Sequence, residues 1–253
     1  MNMSLAVGEV RFSLVVPAWN EAARLPALFD SIDAARGRWI LAGRDPQAIE
    51  IIVADNGSND GTPTIAAMRG ARVAEVLPRR IAAARNGGAA VARGELIGFV
   101  DADSRIHPDA FLAIDAAMSD PAVVGGATGV TMERWSAGIA LTYALGLPVV
   151  WATGFDSGIV FCRRADFRAL GGYDEDRAIA EDVDFMRRLS RLGRSRGQRL
   201  RRLRRARTVT STRKWDEHGD WHYLLQMPAV GWRLLRDPRA LPDFARRYWY
   251  DGR

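Results

Sequence analysis

The chain has 253 residues, 48% hydrophobic and 26% charged, which suits one large globular domain or a domain with an extension. Its formal net charge of +6 favours anionic partners: nucleotides, phosphates, anionic lipid or nucleic acid. The single cysteine, Cys162, excludes a disulfide framework and a cysteine-rich zinc site. Met1 to Gly8 lacks a basic region followed by a long apolar core, so no signal peptide is expected and a cytoplasmic enzyme is the default.

In chain order, Phe12 to Val16 reads as a buried strand closed by Pro17. Asn20 is placed to cap a helix over Glu21 to Ala35, with Gly37 as its stop. Ile49 to Ala54 is a second strand. Ser58 to Thr62 is turn-rich, and Pro63 suits the first turn of a helix through Met68. Asp60 reads as a turn or cap residue. A short strand over Val73 to Val76, an alanine-rich helix from Ile81 to Arg93 and a strand from Leu96 to Val100 follow. Repeated strand–helix–strand units predict a mainly parallel sheet with helices on both faces.

The second half is less regular. A helix is expected over Ala110 to Met118, a strand pair or extended segment over Val123 to Met132, and a short strand over Ile159 to Cys162. A helix through Leu170 and a Gly171-Gly172 turn come next. Ser136 to Phe155 carries no charge and approaches the roughly 20 residues that cross a bilayer. Its polar and glycine positions favour a buried helix followed by an apolar loop. Glu181 to Leu192 reads as a helix with Val183, Met186 and Leu189 on one face. The arginine-crowded run from Arg187 to Arg207 reads first as a solvated face, and second as an anion-binding or membrane-surface patch. Trp221, Leu224, Leu225, Trp232 and Leu235 have helical spacing and suit packing on a core.

The chemistry concentrates at strand ends. Asp101-Ala102-Asp103 follows the apolar run Leu96 to Val100 and so falls at the sheet edge where α/β proteins bind ligands. Paired carboxylates there suit Mg²⁺ or Mn²⁺ bridging to a diphosphate. Three further motifs accompany it: Val15-Val16-Pro17-Ala18-Trp19-Asn20-Glu21, Ala54-Asp55-Asn56-Gly57-Ser58-Asn59-Asp60-Gly61-Thr62 and Ala84-Arg85-Asn86-Gly87-Gly88. Glu181-Asp182 comes later, after Gly171-Gly172-Tyr173-Asp174.

This ordered set, over roughly Phe12 to Leu192, resembles the family 2 glycosyltransferases. The resemblance implies a GT-A fold: a Rossmann-like, nucleotide-binding mixed sheet flanked by helices. On it the chain divides into a domain over 1–210 and a basic helical extension over 211–253 packed on it. The tail, Thr210 to Trp215 with His218-Gly219, resembles small bacterial members found near radical-SAM or arsenosugar genes.

The resemblance implies a nucleotide-sugar site built from Pro17, Trp19, Glu21, Asp55, Arg85, Asp101, Asp103 and Arg213. In it Asp55 would read a uracil-like base and Trp19 would wall it. Asp103 would hold Mn²⁺ or Mg²⁺, with Asp101 on the ribose or on the metal through water, and His218 is either a third metal ligand or a surface or capping histidine. Asp182 resembles the general base, and a helix N-terminus favours its ionised form. Asp156, Ser157, Glu181 and Trp215 are expected at the acceptor. Arg213 and Trp215 resemble the Gln-x-x-Arg-Trp motif of processive members. The glutamine is missing, which argues against a polysaccharide synthase.

The expected reaction moves a sugar from a UDP-sugar to an acceptor hydroxyl with inversion. A lipid-linked acceptor, peripheral contact with the inner membrane face and no nucleic-acid partner are expected with it. A sugar nucleotidyltransferase is the rival enzyme. It is disfavoured because the first strand lacks a following glycine-rich, basic loop. The non-enzyme rival is a basic module, or an inactive transferase, docking on anionic lipid or nucleic acid.

Overall fold

The computed structural model describes residues 9–153, 155–177 and 180–225. Its centre is a seven-stranded sheet in the order β3-β2-β1-β4-β6-β5-β7. The strands are β1 (Phe12–Ala18), β2 (Ile49–Asp55), β3 (Arg72–Glu75), β4 (Leu96–Phe99), β5 (Val123–Met132), β6 (Val160–Arg163) and β7 (Arg199–Thr210). The first four are parallel neighbours, with Ala18 beside Asp55 and Val15 beside Phe99. β6 runs antiparallel between β4 and β5, so the sheet is mixed.

Both faces are covered, which is why β1 and β2 read as largely apolar runs, interrupted within by Ser13 and Glu50, which hydrogen-bond to each other (2.6 Å). On one face Phe12, Leu14 and Val16 meet Leu28, Phe29 and Ile32 of α1 (Leu25–Leu41) and Phe111 and Ile114 of α4 (Ala110–Met118). On the other, Val15 and Ile52 meet the alanines of α3 (Ile81–Ala90). Phe167 of α6 (Arg164–Ala169) and Phe185, Met186 and Leu189 of α7 (Glu181–Ser195) continue that layer.

Several elements differ from expectation. α1 starts at Leu25 and runs through Gly37, and Asn20 does not cap it. Asn20 adopts a left-handed φ of 54° and joins two loops instead. Residues 123–132 form one strand of 10 residues. On α7, Val183 is exposed and Phe185 takes its place in the core. Part of the arginine run is an edge strand, β7, parallel to β5 and interrupted by a register shift between Thr128 and Val130. Its arginines hid the strand, because an edge strand buries too little side chain to need an apolar run. α5 (Ala137–Thr153) is a helix of 17 residues, as uncharged as expected, yet it is not buried: Leu141 and Leu145 face solvent. Trp232, Leu235 and the rest of the tail beyond 225 lie outside the described residues.

Candidate active site

Because β1, β2 and β4 are parallel, the segments that follow them emerge together at one edge of the sheet. A cleft of about 570 Å³ opens there, lined by Pro17, Trp19, Glu21 and Asn56 from the loops after β1 and β2, by Arg85 of α3 and by Asp101 and Asp103 after β4. Ser157, Glu181, Asp182, Arg213, Lys214 and Trp215, from the second half of the chain, complete its lining.

The loops after β1 and β2 are stitched together. Asn20 N–H donates to Ser58 Oγ (3.0 Å), and Asn20 Oδ1 accepts from Asn59 N–H (3.0 Å). Glu21 N–H donates to Thr62 Oγ1 (2.8 Å) and Ala22 N–H to Asp60 Oδ2 (3.1 Å). Asp60 also accepts from Thr62 N–H (2.9 Å), so it serves as the turn residue it was read to be. Asn56 Nδ2 donates to the carbonyls of Val76 (2.8 Å) and Pro78 (3.0 Å), which fixes the segment carrying Arg79. The Arg79 guanidinium lies 4.4 Å from the centre of the Trp19 ring.

Asp55 is buried behind Asn56 and does not itself line the cleft. One oxygen, Oδ2, accepts from Ser58 N–H (3.2 Å); Oδ1 is buried with no hydrogen-bond partner among the described residues. A buried acceptor left open is costly. A ligand N–H would satisfy it.

Arg85 ties three motifs together. Its Nη1 donates to Glu181 Oε1 (2.6 Å) and its Nη2 to Asp101 Oδ1 (3.0 Å), while its guanidinium lies 5.1 Å from the Tyr173 ring centre. Burial alone would weaken this cation, but Asp101 and the other negative groups around it raise its pKa. Glu181 has the opposite balance. Burial raises its pKa, Arg85 pulls it down, and neighbouring Asp182 raises it again, with a net rise. Asp182 lines the cleft half-buried, and its Oδ1 accepts from Val183 N–H (2.8 Å). Ala180 just before them sits at φ 58°, a region that residues other than glycine rarely occupy. It marks a sharp entry into α7 that brings both acids to the cleft.

Arg213, at the start of α8 (Arg213–His218), spans the cleft. Its Nη1 is 3.4 Å from both oxygens of Glu21 and its Nη2 is 3.6 Å from Asp103 Oδ2. Trp215 packs on Tyr223 with ring centres 4.8 Å apart, and its buried indole N–H has no acceptor among the described residues.

Besides Asp55, two expected residues fall outside the lining. Asp156 is 6% exposed and ion-paired with Arg202 (2.5 Å); it does not line the cleft. His218 is exposed, stacks on His222 with ring centres 4.6 Å apart, and does not line it either. The described residues contain no cluster of three His, Cys, Asp or Glu side chains able to hold a metal. Asp101 and Asp103, one residue apart, are two of the carboxylates lining the cleft, and one or two carboxylates completed by substrate phosphates and water suit Mg²⁺ or Mn²⁺. The donor set therefore fits such an ion, without His218.

Sequence reading missed Arg79, Lys214 and Tyr223 as cleft residues. It also missed Asn20 as the loop tie. Asn20, inside a recognised motif, was the one with a usable signal, since asparagine tolerates the left-handed region.

The class of protein is set by a mixed sheet flanked by helices, with acidic residues at its parallel edge, the GT-A architecture. Solved structures share it. S. aureus TarS in complex with UDP-GlcNAc superposes with a TM-score of 0.61 at 17% identity, over 80% of this chain and 59% of that one. Glucosyl-3-phosphoglycerate synthase from Mycobacterium tuberculosis, solved with Mn²⁺, UDP and glucosyl-3-phosphoglycerate, gives 0.55 at 23% identity over 83% and 75%. The Glycosyl transferase family 2 model matches residues 13–167, and the chain belongs to that family.

Among curated relatives, the chain is 33% identical over 131 residues to undecaprenyl-phosphate 4-deoxy-4-formamido-L-arabinose transferase from Aeromonas hydrophila. It is 31% identical over 116 residues to validoxylamine A glucosyltransferase from Streptomyces hygroscopicus. The matches cover 49% and 44% of this chain but only 38% and 24% of those proteins.

Proposed function

We propose that this chain transfers a sugar from a UDP-sugar to an acceptor hydroxyl by a single displacement with inversion. The observation that carries the reading is the cleft itself. Asp101, Asp103 and Asp182 line it together, and Asn56 in its lining is next to Asp55, whose Oδ1 is buried with no partner among the described residues.

In this reading Asp55 Oδ1 accepts a base N–H, and Trp19, braced by Arg79, walls the ring. Asp103 and Asp101 hold a divalent cation. When bound, that cation supplies Lewis-acid stabilisation to the leaving diphosphate. Arg213 adds positive charge on the same side, and Arg85 keeps Asp101 in place. Asp182 accepts the proton of the acceptor hydroxyl as its oxygen attacks the anomeric carbon and UDP departs from the opposite face. Ser157 and the Trp215 indole N–H contact the acceptor. The undecaprenyl phosphate in the name of the Aeromonas relative favours a lipid-linked acceptor.

The test is calorimetric titration of UDP with Mn²⁺, with Mg²⁺ and with EDTA, on the native chain and on Asp103→Ala. The metal should tighten UDP binding to the native chain, and Asp103→Ala should lose that gain while keeping its melting temperature. Equal UDP affinity with and without metal counts against a metal-bridged diphosphate. No UDP binding under any condition counts against the donor class.

A further inference from the structure

α5 inverts the usual pattern of a surface helix. Its exposed positions include Ala137, Ala140, Leu141, Ala144, Leu145 and Pro148, which share one helix face. Charged residues normally occupy such a face, yet residues 136–155 contain none. Leu141 is 46% exposed and Leu145 55%. The opposite side is anchored: Ile139 is buried, and the Tyr143 hydroxyl donates to the Val130 carbonyl (3.1 Å).

A second apolar group is held against the start of α5. Arg134 pairs with Asp216 and Asp220, both at 2.6 Å. Gly138 lets the backbone of Asp220 approach so closely that a Cβ would lie 2.4 Å from its carbonyl oxygen. Trp135, Trp221 and Leu225, all more than half exposed, flank this junction. With Leu141 and Leu145 they make up five of the ten large hydrophobics exposed among the described residues. Half of those residues therefore lie on α5 or flank its junction with the segment clamped to it.

Positive charge lies on the strand beside the one that anchors α5. Val130, which accepts from Tyr143, faces Thr208 across the β5–β7 pairing, and the shifted stretch of β7 just before Thr208 carries Arg204, Arg205 and Arg207. These three and Arg201 are exposed, with no carboxylate at ion-pair distance among the described residues. Other arginines of the run are engaged: Arg188 with Asp184, Arg196 with Asp166, Arg199 with Asp120 and Arg202 with Asp156.

We infer that the α5 face and the arginines of the β7 bulge form a docking surface for an anionic lipid bilayer. Nucleic acid would engage the arginines and leave the apolar face in water. A bilayer satisfies both, taking Leu141, Leu145 and the indoles at the acyl boundary and the guanidinium groups at headgroup phosphates. α5 lies on the membrane in this arrangement, since no helix among the described residues is long and apolar enough to cross one. Val130, Met132 and Thr210, at the ends of β5 and β7, also line the cleft. Its opening is therefore held near the headgroups. The docking stands whatever reaction the cleft performs.

Co-sedimentation of the full chain with vesicles of phosphatidylcholine, alone or mixed with phosphatidylglycerol, tests this. The chain should bind the mixed vesicles, more weakly as salt rises, and bind neutral vesicles poorly. Leu141→Glu with Leu145→Glu, and separately Arg204→Glu with Arg205→Glu, should each weaken binding by about tenfold or more at unchanged melting temperature. Undiminished vesicle binding by the leucine variant overturns the inference. A fall in its melting temperature would mean the face is covered within the chain. A native dimer that this variant dissolves would mean a second copy covers it. Loss of DNA binding without loss of vesicle binding in the arginine variant would make the patch a nucleic-acid surface. Each of these outcomes overturns the docking.

Discussion

Arg85 shows how one side chain can organise a site. It reaches Asp101 after β4 and Glu181 at the start of α7, acids 80 positions apart in the chain, and its charge offsets part of the cost of burying Glu181. Asp182 is thereby left facing the cleft beside an acid that is already paired. This division supports different roles for the two neighbouring carboxylates. Asp182→Asn keeps size and hydrogen bonding but cannot take a proton. Transfer should fall by roughly 10²-fold or more, with UDP affinity unchanged. Single-turnover kinetics beside UDP titration checks it, and near-native turnover would remove Asp182 from the role of base.

At the scale of elements, α3 shows why small residues stand where they do. A Cβ on Gly88 would come within 2.4 Å of Val15 Cγ1, and one on Gly87 equally close to Val76. The helix can therefore lie directly on β1 and bring Arg85 to the sheet edge. Next to them, Asn86 accepts from Tyr173 N–H (2.8 Å) and donates to the Tyr173 carbonyl (2.9 Å), securing the glycine turn before α7. Gly172 in that turn has φ 72° and leaves room for Asn86, whose Oδ1 would lie 2.5 Å from an added Cβ. Gly88→Ala should cost about 1–3 kcal/mol through overpacking, despite alanine's better helix propensity. Urea unfolding of the variant measures it. Unchanged or raised stability would mean that α3 can move off the sheet freely.

Across the whole molecule, arginine–carboxylate pairs hold the second half together. Asp184 is the hub: it accepts from Arg188 (2.7 Å) and Arg187 (3.0 Å) and has Arg177 at 3.5 Å, while Arg188 also donates to the carbonyls of Leu170 and Gly172. Burial pushes the Asp184 pKa up, but the arginine hydrogen bonds and charges outweigh it and the net shift is downward. A depressed carboxylate pKa contributes stability above the unfolded value of about 3.9 and loses it as pH falls through the folded value. Asp184→Asn should therefore cost about 1–3 kcal/mol at neutral pH, and the difference from the native chain should shrink in acid. Denaturant unfolding at about pH 7 and about pH 3 checks both limbs. A difference that stays constant with pH would mean the effect is steric.

The β1 and β2 strands were legible because both their faces are buried, so burial wrote largely apolar runs into the sequence. The polar residues that end such runs, Asp55, Asp101 and Asp103, had to fall at the sheet edge once the strands were parallel. That local rule was enough to propose a site at the sheet edge; the family came from the resemblance of the ordered motifs. The fate of the other candidates depended on partners distant in sequence. Asp156 pairs with Arg202, 46 positions away, because both are desolvated together beside β5. His218 turns toward His222, because α8 presents Arg213 and Trp215 to the cleft. The exposure of α5 was equally hidden: an uncharged segment reads as buried, and only its packing against Val130 and Asp220 decides which side remains outside. Composition states how much apolar surface a segment carries. Which neighbour removes that surface from water is decided by the tertiary fold.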